Sequence, residues 1–429
     1  MENYMKKFSF LSLILGFTFV SSNAFAAVDP EVSYILNTLL FLIGGFLVMW
    51  MAAGFAMLES GLVTSKSVAT IAAKNIGLYS IAGLMFWLVG YNLAYGIPEG
   101  GFIGTFLPWS DASSIDTGYS DGSDWFFQMV FCATTCSIVS GTMAERIKIW
   151  PFFLFCAILA GVIYPIEMGW QWGGGHLAAA GFSDFAGSTL VHSAGGAAAL
   201  AGAILLGPRL GRFDSDGAKP LEPFASSSIP LATLGVFILW LGWFGFNGGS
   251  QLALGSFEDS TSVATIFINT NLAAAAGVMV CAAVSRLVGG KTDVVMMLNG
   301  ALGGLVAITA EPLTPSPIMA IIIGGIGGLV VYFGTLLLIR LKIDDVVGAI
   351  PVHGFAGIWG TLAVPLTNSG TNFGSQIYGI LWINIFVFAV AFIVWYLMKI
   401  SIGIRISEEA EKLGTDKAEV GVMAYSIRD

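Results

Sequence analysis

Two of the three histidines in this 429-residue chain stand in the same short motif. GSTLVHSAGG, residues 187–196, and GAIPVHGFAG, residues 348–357, both read glycine, four residues, histidine, three residues, glycine. Imidazole has an ordinary pKa of about 6.5, so a pair of rings can share or pass a proton, or hydrogen-bond a small polar solute. The repeated motif predicts that His192 and His353 face each other and act together.

Metal binding and simple packing are the alternative roles for these histidines. Neither motif contains aspartate, glutamate or cysteine, so the two imidazoles alone would make a poor metal site. For either histidine, the alternative remains that it is a packed core residue whose ring is hydrogen-bonded by backbone groups. His176, the third histidine, follows WGGG and is expected to be an interfacial residue rather than a third ligand. We expect neither a metal nor a cofactor.

The composition sets the environment in which these motifs must fold. The chain is 56% hydrophobic and 10% charged, whereas soluble domains carry roughly 25% charged residues. Its mean hydropathy is +0.83, and apolar stretches of about 20 residues, long enough to span a bilayer as helix, recur along it. These features predict an all-α polytopic membrane protein and argue against a soluble enzyme. The net charge of −9 argues against a nucleic-acid partner.

The first 26 residues are expected to be a cleavable signal peptide. Lys6 and Lys7 precede a short apolar run, and Ala24-Phe25-Ala26 provides a small-residue cleavage site. A first membrane helix is the alternative for this segment. We expect residues 27–403 to form the transmembrane domain and residues 404–429 to form a cytoplasmic tail.

The mature chain holds eleven apolar segments whose connectors alternate in charge. The segments are 33–58, 70–96, 125–144, 150–169, 185–206, 229–250, 262–285, 294–310, 317–340, 349–366 and 376–400. Every Lys and Arg beyond the signal peptide, Lys74 included, is assigned to an inner connector or to the tail, while the outer connectors carry acids such as Glu167 and Glu311. The positive-inside rule then predicts eleven transmembrane helices with the N-terminus outside and the C-terminus inside.

The histidine motifs lie in the fifth and tenth of these segments. Five is an odd number of spans, so the two motifs run through the membrane in opposite directions. That is the signature of an inverted repeat, here five helices plus five, in which equivalent residues meet near the midplane. A buried ionisable group in a membrane helix usually faces a pathway or the bundle interior.

Five longer stretches together resemble the ammonium transporter family (Amt/Mep/Rh), on its bacterial Amt branch. They are GTMAERIK, WGGG, DFAGSTLVH, LGWFGFNGGS and KIDDVVGAIPVHG. The resemblance implies a multi-pass homotrimer in the inner (cytoplasmic) membrane of a bacterium, with one pore per subunit. It also implies ammonium, ammonia and methylammonium as the transported species.

The resemblance also implies roles for individual residues. His192 and His353 match the pore histidines, and Phe131 and Phe246 match a stacked gate. Trp172 and Ser250, with Phe131, match an outer recruitment site, where aromatic faces attract a cation. Asp184 matches a buried aspartate that attracts the cation or caps the fifth segment, and SDFAGS favours the cap.

The implied function is recruitment of ammonium outside, separation of its proton, and passage of ammonia along a hydrophobic pore, with net electrogenic uptake. Two alternatives remain: an ammonium sensor that signals through a partner, and a neutral channel for ammonia or carbon dioxide. The tail keeps the GxxAY end of the family, Gly421 to Tyr425, which suggests a PII signal protein as partner. A tail that only stabilises the trimer is the alternative.

Overall fold

The computed structural model describes residues 28–213 and 224–425. The predicted signal peptide, residues 1–26, lies outside these residues, as do Lys219 and Arg428. Within the described ranges the chain is helical, with no strand, and an isolated bridge joins Ile147 and Arg405. The prediction of an all-α polytopic membrane protein is therefore confirmed.

A helix covers each of the eleven predicted segments. The helices are α1 (Pro30–Leu62), α2 (Ser65–Tyr95), α3 (Asp121–Thr142), α4 (Ile149–Gly169), α5 (Ser188–Leu206), α6 (Ile229–Gly249), α7 (Phe257–Gly289), α8 (Val294–Thr309), α9 (Pro317–Arg340), α10 (Ile350–Leu366) and α11 (Phe373–Ser401). Eight of them are long and apolar enough to cross a membrane, and α8 and α10 are shorter apolar helices. The number of crossings and their orientation stay predictions.

Several charged residues assigned to connectors lie inside helices instead, and Lys74 and Glu167 are the most deeply buried of them. Lys74 is in the third turn of α2 and is only 1% exposed, and Glu167 is in the last turn of α4 and is fully buried. Both stand inside the apolar segments 70–96 and 150–169, but the count of charges along the chain assigned them to the connectors. A charge can stay within a membrane helix where neighbouring helices, rather than lipid, surround it.

Glycine allows several helices to touch backbone to backbone. A Cβ at Gly277 of α7 would overlap the carbonyl oxygen of Gly300 in α8, and one at Gly235 of α6 would overlap the backbone of Leu58 in α1. Membrane helices gain little from burying apolar side chains against each other, because lipid is equally apolar. Close packing through small residues therefore holds this bundle together.

A buried ionic cluster joins three connectors at the end of the bundle that carries the tail, called here the tail side. Arg209, after α5, donates to Asp344, after α9, through Nε at 2.8 Å and Nη2 at 3.0 Å. The same guanidinium pairs with Glu145, in the connector that follows α3. Arg146 is fully buried beside the cluster and donates to the Asp344 carbonyl at 2.6 Å.

The C-terminal tail packs on the tail side through its acidic side chains. It forms a short helix, α12 (Glu408–Leu413), and a further turn, Asp416–Val420. Asp416 accepts the backbone N–H of Thr70 in the first turns of α2 at 2.8 Å, and Glu419 accepts that of Ile149, the first residue of α4, at 2.8 Å. Carboxylates at helix N-termini satisfy free N–H groups and favour the helix dipole.

Candidate pore and its two ends

The structure brings His192 and His353 together in the centre of the bundle. Their Nδ1 atoms lie 3.2 Å apart, and the ring centroids are separated by 5.2 Å. Both rings are buried, at 0% and 2% exposure. The two repeated motifs thus meet at one point, as their matching sequences led us to expect.

Each histidine lies on a widened turn at the start of its helix. Residues Ser188–Ser193 and Ile350–Phe355 form π-helical turns, and the His192 N–H reaches back five residues to the Gly187 carbonyl at 3.0 Å. Gly187 and Gly348, which precede the two turns, have φ of +103° and +82°, in the region that favours glycine. A π-helical turn contains one more residue than an α-helical turn, and such turns occur frequently at functional sites.

Asp184 holds the start of α5. Its Oδ1 accepts the N–H groups of Gly187 and Ser188 at 2.9 and 2.8 Å. Its Oδ2 accepts those of Thr189 and Leu190 at 2.7 and 3.0 Å. One carboxylate thus satisfies four N–H groups that have no partner within a helix. All its hydrogen bonds point into the helix end, which is the geometry of a cap.

Asp345 is the counterpart of Asp184 before α10, and sequence reasoning missed it. It accepts the N–H groups of Gly348 at 3.2 Å and Ile350 at 2.7 Å, and the hydroxyl of Thr142 at 3.0 Å. The signal was present, because the repeat extends three residues before each first glycine. Both copies read Asp-x-x-Gly-x-x-x-x-His, in DFAGSTLVH and DVVGAIPVH.

The later glycine of each motif lets the two helices cross closely. A Cβ at Gly196 would lie 2.5 Å from the Gly354 backbone, and one at Gly357 would overlap the carbonyl oxygen of Ser188. Beside this crossing, the hydroxyls of Thr189 and Thr361 are 2.6 Å apart. The motif glycines therefore set the separation of the two histidine rings.

The contact between the two Nδ1 atoms constrains the protons on the rings. A neutral imidazole has one N–H and one acceptor nitrogen, so this contact is a hydrogen bond only when one Nδ1 carries a proton and the other does not. His192 Nε2 is buried and has no hydrogen-bond partner among the described residues. That nitrogen is therefore available to hydrogen-bond a small solute or a water.

A column of aromatic rings leads from the histidines toward the other end of the bundle. Phe246 lies 5.2 Å from the His192 ring, and Phe131 stacks on Phe246 with centroids 3.9 Å apart and planes at 22°. Trp172 meets the Phe131 ring edge to face at 6.0 Å. The stacked phenylalanines are buried and leave no aqueous gap between their faces.

A cavity of about 310 Å³, called here the vestibule, lies beyond Phe131. It is lined by the three side chains assigned to recruitment, Trp172, Phe131 and Ser250. The Ser250 hydroxyl donates to the Phe246 carbonyl at 2.8 Å, so its oxygen lone pairs remain free to accept a hydrogen bond. Trp172 Nε1 donates to the Asp184 carbonyl at 3.0 Å, which fixes the indole.

Asp124 also lines the vestibule, and sequence reasoning left it among the connector acids. It lies in the first turn of α3 and is 6% exposed. Its oxygens accept from the Tyr91 hydroxyl at 2.6 Å and from Gln128 Nε2 at 3.2 Å. No Lys, Arg or His pairs with it among the described residues. Its position next to an apolar segment was the signal that could have indicated burial.

A second, smaller cavity lies on the tail side of the histidines. Its volume is about 10 Å³, and its lining includes His353, Phe55, Asn299 and Glu59. Glu59, in the last turn of α1, is 1% exposed. Sequence reasoning passed over this glutamate because it stands in an apolar run and belongs to none of the motifs.

His176 and Glu311 lie away from the histidine pair. His176 stacks on Phe102 at 4.2 Å and meets Trp170 edge to face at 4.9 Å. Glu311 accepts from Asn368 at 2.6 Å and from the Thr314 N–H at 3.1 Å, which joins two connectors. In the described part of the chain, no three His, Cys, Asp or Glu side chains are grouped to hold a metal ion.

The fold and the paired motifs define a class: a polytopic α-helical membrane protein with two histidines at its centre. Comparison with known proteins then identifies the family. A family model described as "Ammonium Transporter Family" matches residues 39–425, so the chain belongs to the ammonium transporter family.

Relatives and solved structures agree with this assignment. The chain is 41% identical to a putative ammonium transporter of Synechocystis over 423 residues, covering 96% of this chain and 95% of the relative. It is 42% identical to the ammonium transporter Amt2 of Archaeoglobus fulgidus, covering 90% and 87%. A solved structure titled "Sensor Amt Protein" superposes with a TM-score of 0.83 at 33% identity, covering 91% of this chain and all of the other. Mep2 of Candida albicans superposes with a TM-score of 0.79 at 27% identity, covering 89% of each.

Proposed function

We propose that this protein takes up ammonium across the cytoplasmic membrane of a bacterium by separating it into ammonia and a proton. The contact between His192 and His353, behind the stacked pair Phe131 and Phe246, is the observation that carries the proposal. The vestibule faces the outside, and the tail side faces the cytoplasm. This orientation follows from the positive charges of the tail-side connectors.

Recruitment takes place in the vestibule. A cation there meets the faces of Trp172 and Phe131, and desolvated cation–π contacts contribute about 2 kcal/mol or more. Ser250 accepts one N–H of the ammonium through its free lone pairs. Asp124 supplies a negative charge that no cationic side chain neutralises in the described residues. Together these groups replace part of the water that the ion loses.

Deprotonation occurs at the gate, where water in the vestibule accepts the proton as the N–H bond of ammonium breaks, because an isolated charge is costly in an apolar passage. Moving an unpaired cation between Phe131 and Phe246 would forfeit its hydration with no hydrogen-bond partner in return. Ammonia carries no charge, so its transfer is far less costly. Once past the rings it meets His192 Nε2, which is buried and unpartnered in the described chain. The gate thus selects ammonium by its ability to lose a proton.

The histidine pair carries the proton along the same axis. Because the two Nδ1 atoms share a single hydrogen between them, a proton added at one ring can leave from the other. Ammonia and proton then reach the tail side separately, and one positive charge crosses for each ammonium taken up. Transport is therefore electrogenic.

Current recorded from proteoliposomes on a solid support tests this function. Ammonium and methylammonium should each give a saturable current, and potassium should give none, because potassium has no proton to lose. A potassium current in the native protein would overturn the dry-gate mechanism. Ammonia entry without charge movement would indicate the neutral gas channel.

A sensor is the second candidate, and the similarity to a solved sensor Amt protein favours its consideration. A transporter and a sensor would both bind ammonium in the vestibule, but only a transporter would move many ions across the membrane. A sensor would bind ammonium and give only a small charge displacement that does not grow with the ion gradient. A sustained, gradient-dependent current separates the transporter from it.

Replacing Asp124 with asparagine should weaken ammonium recruitment. The substitution keeps the size of the side chain and one acceptor oxygen but removes the negative charge facing the vestibule. We expect the ammonium concentration at half-maximal current to rise about tenfold, which corresponds to roughly 1.4 kcal/mol, with little change in the maximal current.

The control for this prediction is Asp111→Asn, which removes an acid from an exposed loop on the same side. At Asp111 a hydrogen bond from Ser113 lowers the pKa, so the residue is charged at neutral pH. It should leave the half-maximal concentration near the native value. If the half-maximal concentration rose equally in both variants, the effect of Asp124 would be one of general surface charge rather than of a position in the vestibule.

We propose further that the protein is a homotrimer and that a PII signal protein binds its cytoplasmic face. The tail contacts the first turns of α2 and α4 and the connector after α5, where Glu411 accepts the Leu210 N–H at 2.7 Å. Deleting residues 404–429 should remove binding of a PII protein of the same cell to the solubilised trimer. Pull-down with and without nucleotide measures this, and undiminished binding would leave the tail a purely structural role.

A further inference from the structure

The small tail-side cavity is lined by a buried carboxylate and by one of the two paired histidines, His353. Glu59 and His353 both line this space of about 10 Å³, which is enough to hold a water molecule. Glu59 is 1% exposed, and its Oε1 has no hydrogen-bond partner among the described residues. An unsatisfied buried carboxylate oxygen is costly, so a partner within the cavity is indicated.

A lysine balances the charge of Glu59 without contacting it directly. Lys74 Nζ donates to the Ser140 carbonyl at 2.7 Å, and the Ser140 hydroxyl donates to Glu59 Oε2 at 2.8 Å. In the described chain no ion pair within 4.0 Å joins the two charged groups, since one serine of α3 lies between them. The Lys74 ammonium also lies over the Phe152 ring at 4.8 Å.

This arrangement differs from an ion pair that only supports the fold. A structural pair satisfies both groups directly, whereas here one carboxylate oxygen is bonded to Ser140 and the other is left for the cavity. Lys74 makes the ionised carboxylate tolerable in a buried place by its nearby positive charge. Glu59 can therefore exist with or without its proton.

We propose that Glu59 is the group that returns the proton to ammonia at the cytoplasmic end of the pore. The inference rests on the proposed separation of ammonium at the gate. Ammonia that leaves the histidines enters the small cavity and meets protonated Glu59. The N–H bond of ammonium forms as the O–H bond of the carboxyl group breaks, and the ammonium leaves toward the tail side.

The cycle closes when Glu59 regains a proton from the histidine pair. A single water in the cavity accepts a proton from His353 as it gives one to the carboxylate. Lys74 holds the ionised form of Glu59 until that transfer. One proton enters the pair at the vestibule side for each one that leaves on ammonium, so protons and charge balance.

Glu59→Gln tests the inference, because glutamine fills the same space and cannot release a proton. We expect the ammonium current to fall at least tenfold. Ammonia should still pass and, arriving without its proton, should alkalinise the vesicle interior more than the native protein does. A pH-sensitive dye inside the vesicles reports this, with protein-free vesicles subtracted. Glu59→Asp, which keeps an acid, should recover part of the current.

Two further variants separate a proton donor from a structural pair. Glu59→Gln/Lys74→Met removes both charges of the pair, so neither is left buried without the other, and this variant should assemble even if the single variant does not. The proton-donor role predicts that the double variant also lacks current while it still alkalinises the vesicles. Recovery of native current in the double variant would overturn it. Glu167→Gln, a buried glutamate that lines neither cavity, should keep the native current.

The outcomes also distinguish this inference from the function on which it rests. If the native protein conducts and His353→Ala does not, but Glu59→Gln conducts as the native protein does, only the role of Glu59 is wrong. If the native protein shows no ammonium current, the proposed function itself is wrong. Loss of both current and alkalinisation in Glu59→Gln, with both restored in the double variant, would assign the residue to the fold alone.

Discussion

Alanine in place of His192 or His353 is expected to reduce the ammonium current by at least about 100-fold, since positioned acid–base groups contribute roughly 10²–10⁴-fold. Each ring supplies one side of the Nδ1 contact, so either substitution breaks the proposed path of the proton. Ammonium pulses on supported proteoliposomes measure the effect. Size-exclusion chromatography should show an assembled protein, because the rings contact each other rather than the subunit surface.

His176→Ala is the matched control, since it removes the one histidine that lies outside the pore. Its ring packs among aromatic side chains, and the current should stay within about twofold of the native value, as for substitutions away from a site. Double replacement of the pore histidines by aspartate should instead admit water and allow a potassium current. Full ammonium-specific current in both alanine variants would reduce the histidines to packing residues.

Replacing Arg209 with methionine should destabilise the protein more than any other single change considered. Glu145 and Asp344 would then remain buried without the guanidinium that joins them. Breaking a buried ion pair by removing one partner costs about 3–5 kcal/mol. Thermal unfolding in detergent measures the change, and a melting temperature close to the native one would show that other cations replace Arg209.

The exposed pair of Lys412 and Glu408 provides the control. Lys412→Met breaks an ion pair at 4.0 Å whose side chains are about 70% exposed, and exposed pairs contribute roughly 0–1 kcal/mol. The triple variant Glu145→Gln/Arg209→Met/Asp344→Asn leaves no charge of the triad unpaired. It should recover much of the lost stability if desolvated charge, rather than shape, explains the effect.

Acid should weaken the same cluster only at low pH. Burial alone would raise the pKa of Asp344, but the charges of Arg146 and Arg209 outweigh burial and hold that pKa well below its ordinary value. The stabilisation from Asp344 is then complete above the unfolded pKa of about 3.9. It is lost as the pH falls below that value toward the lower folded pKa.

The sequence predicted the helices and the histidine contact well, for physical reasons. Hydropathy alone locates long apolar segments, because lipid imposes a minimum length on each. The meeting of His192 and His353 followed from a duplicated motif, which demands equivalent positions. The widened turns that hold the rings were not predicted, because the repeated Asp-x-x-Gly pattern does not by itself show that Asp184 and Asp345 bind the helix starts.

Buried charges were the main features that sequence reasoning missed. Glu59, Lys74 and Asp124 each stand near the end of an apolar run, and charge counting treats such positions as exposed. Their burial depends on partners far away in the chain, such as Ser140 for the first two. Contacts between distant segments that share no repeated motif cannot be inferred from one sequence, and the tail contacts with Thr70 and Ile149 could not be predicted for the same reason.

The duplicated motif has a consequence for whether the protein conducts better in one direction than in the other. Because Asp184 and Asp345, and then His192 and His353, repeat one arrangement in two copies, the middle of the pore has no built-in forward direction. Such a passage conducts equally in both directions in its middle, although its two ends differ: aromatic side chains such as Trp172 lie at one end and the carboxylate of Glu59 lies at the other. The sign of net flow is then set by the gradient alone, and a cell rich in ammonium needs a separate closing device to avoid leakage.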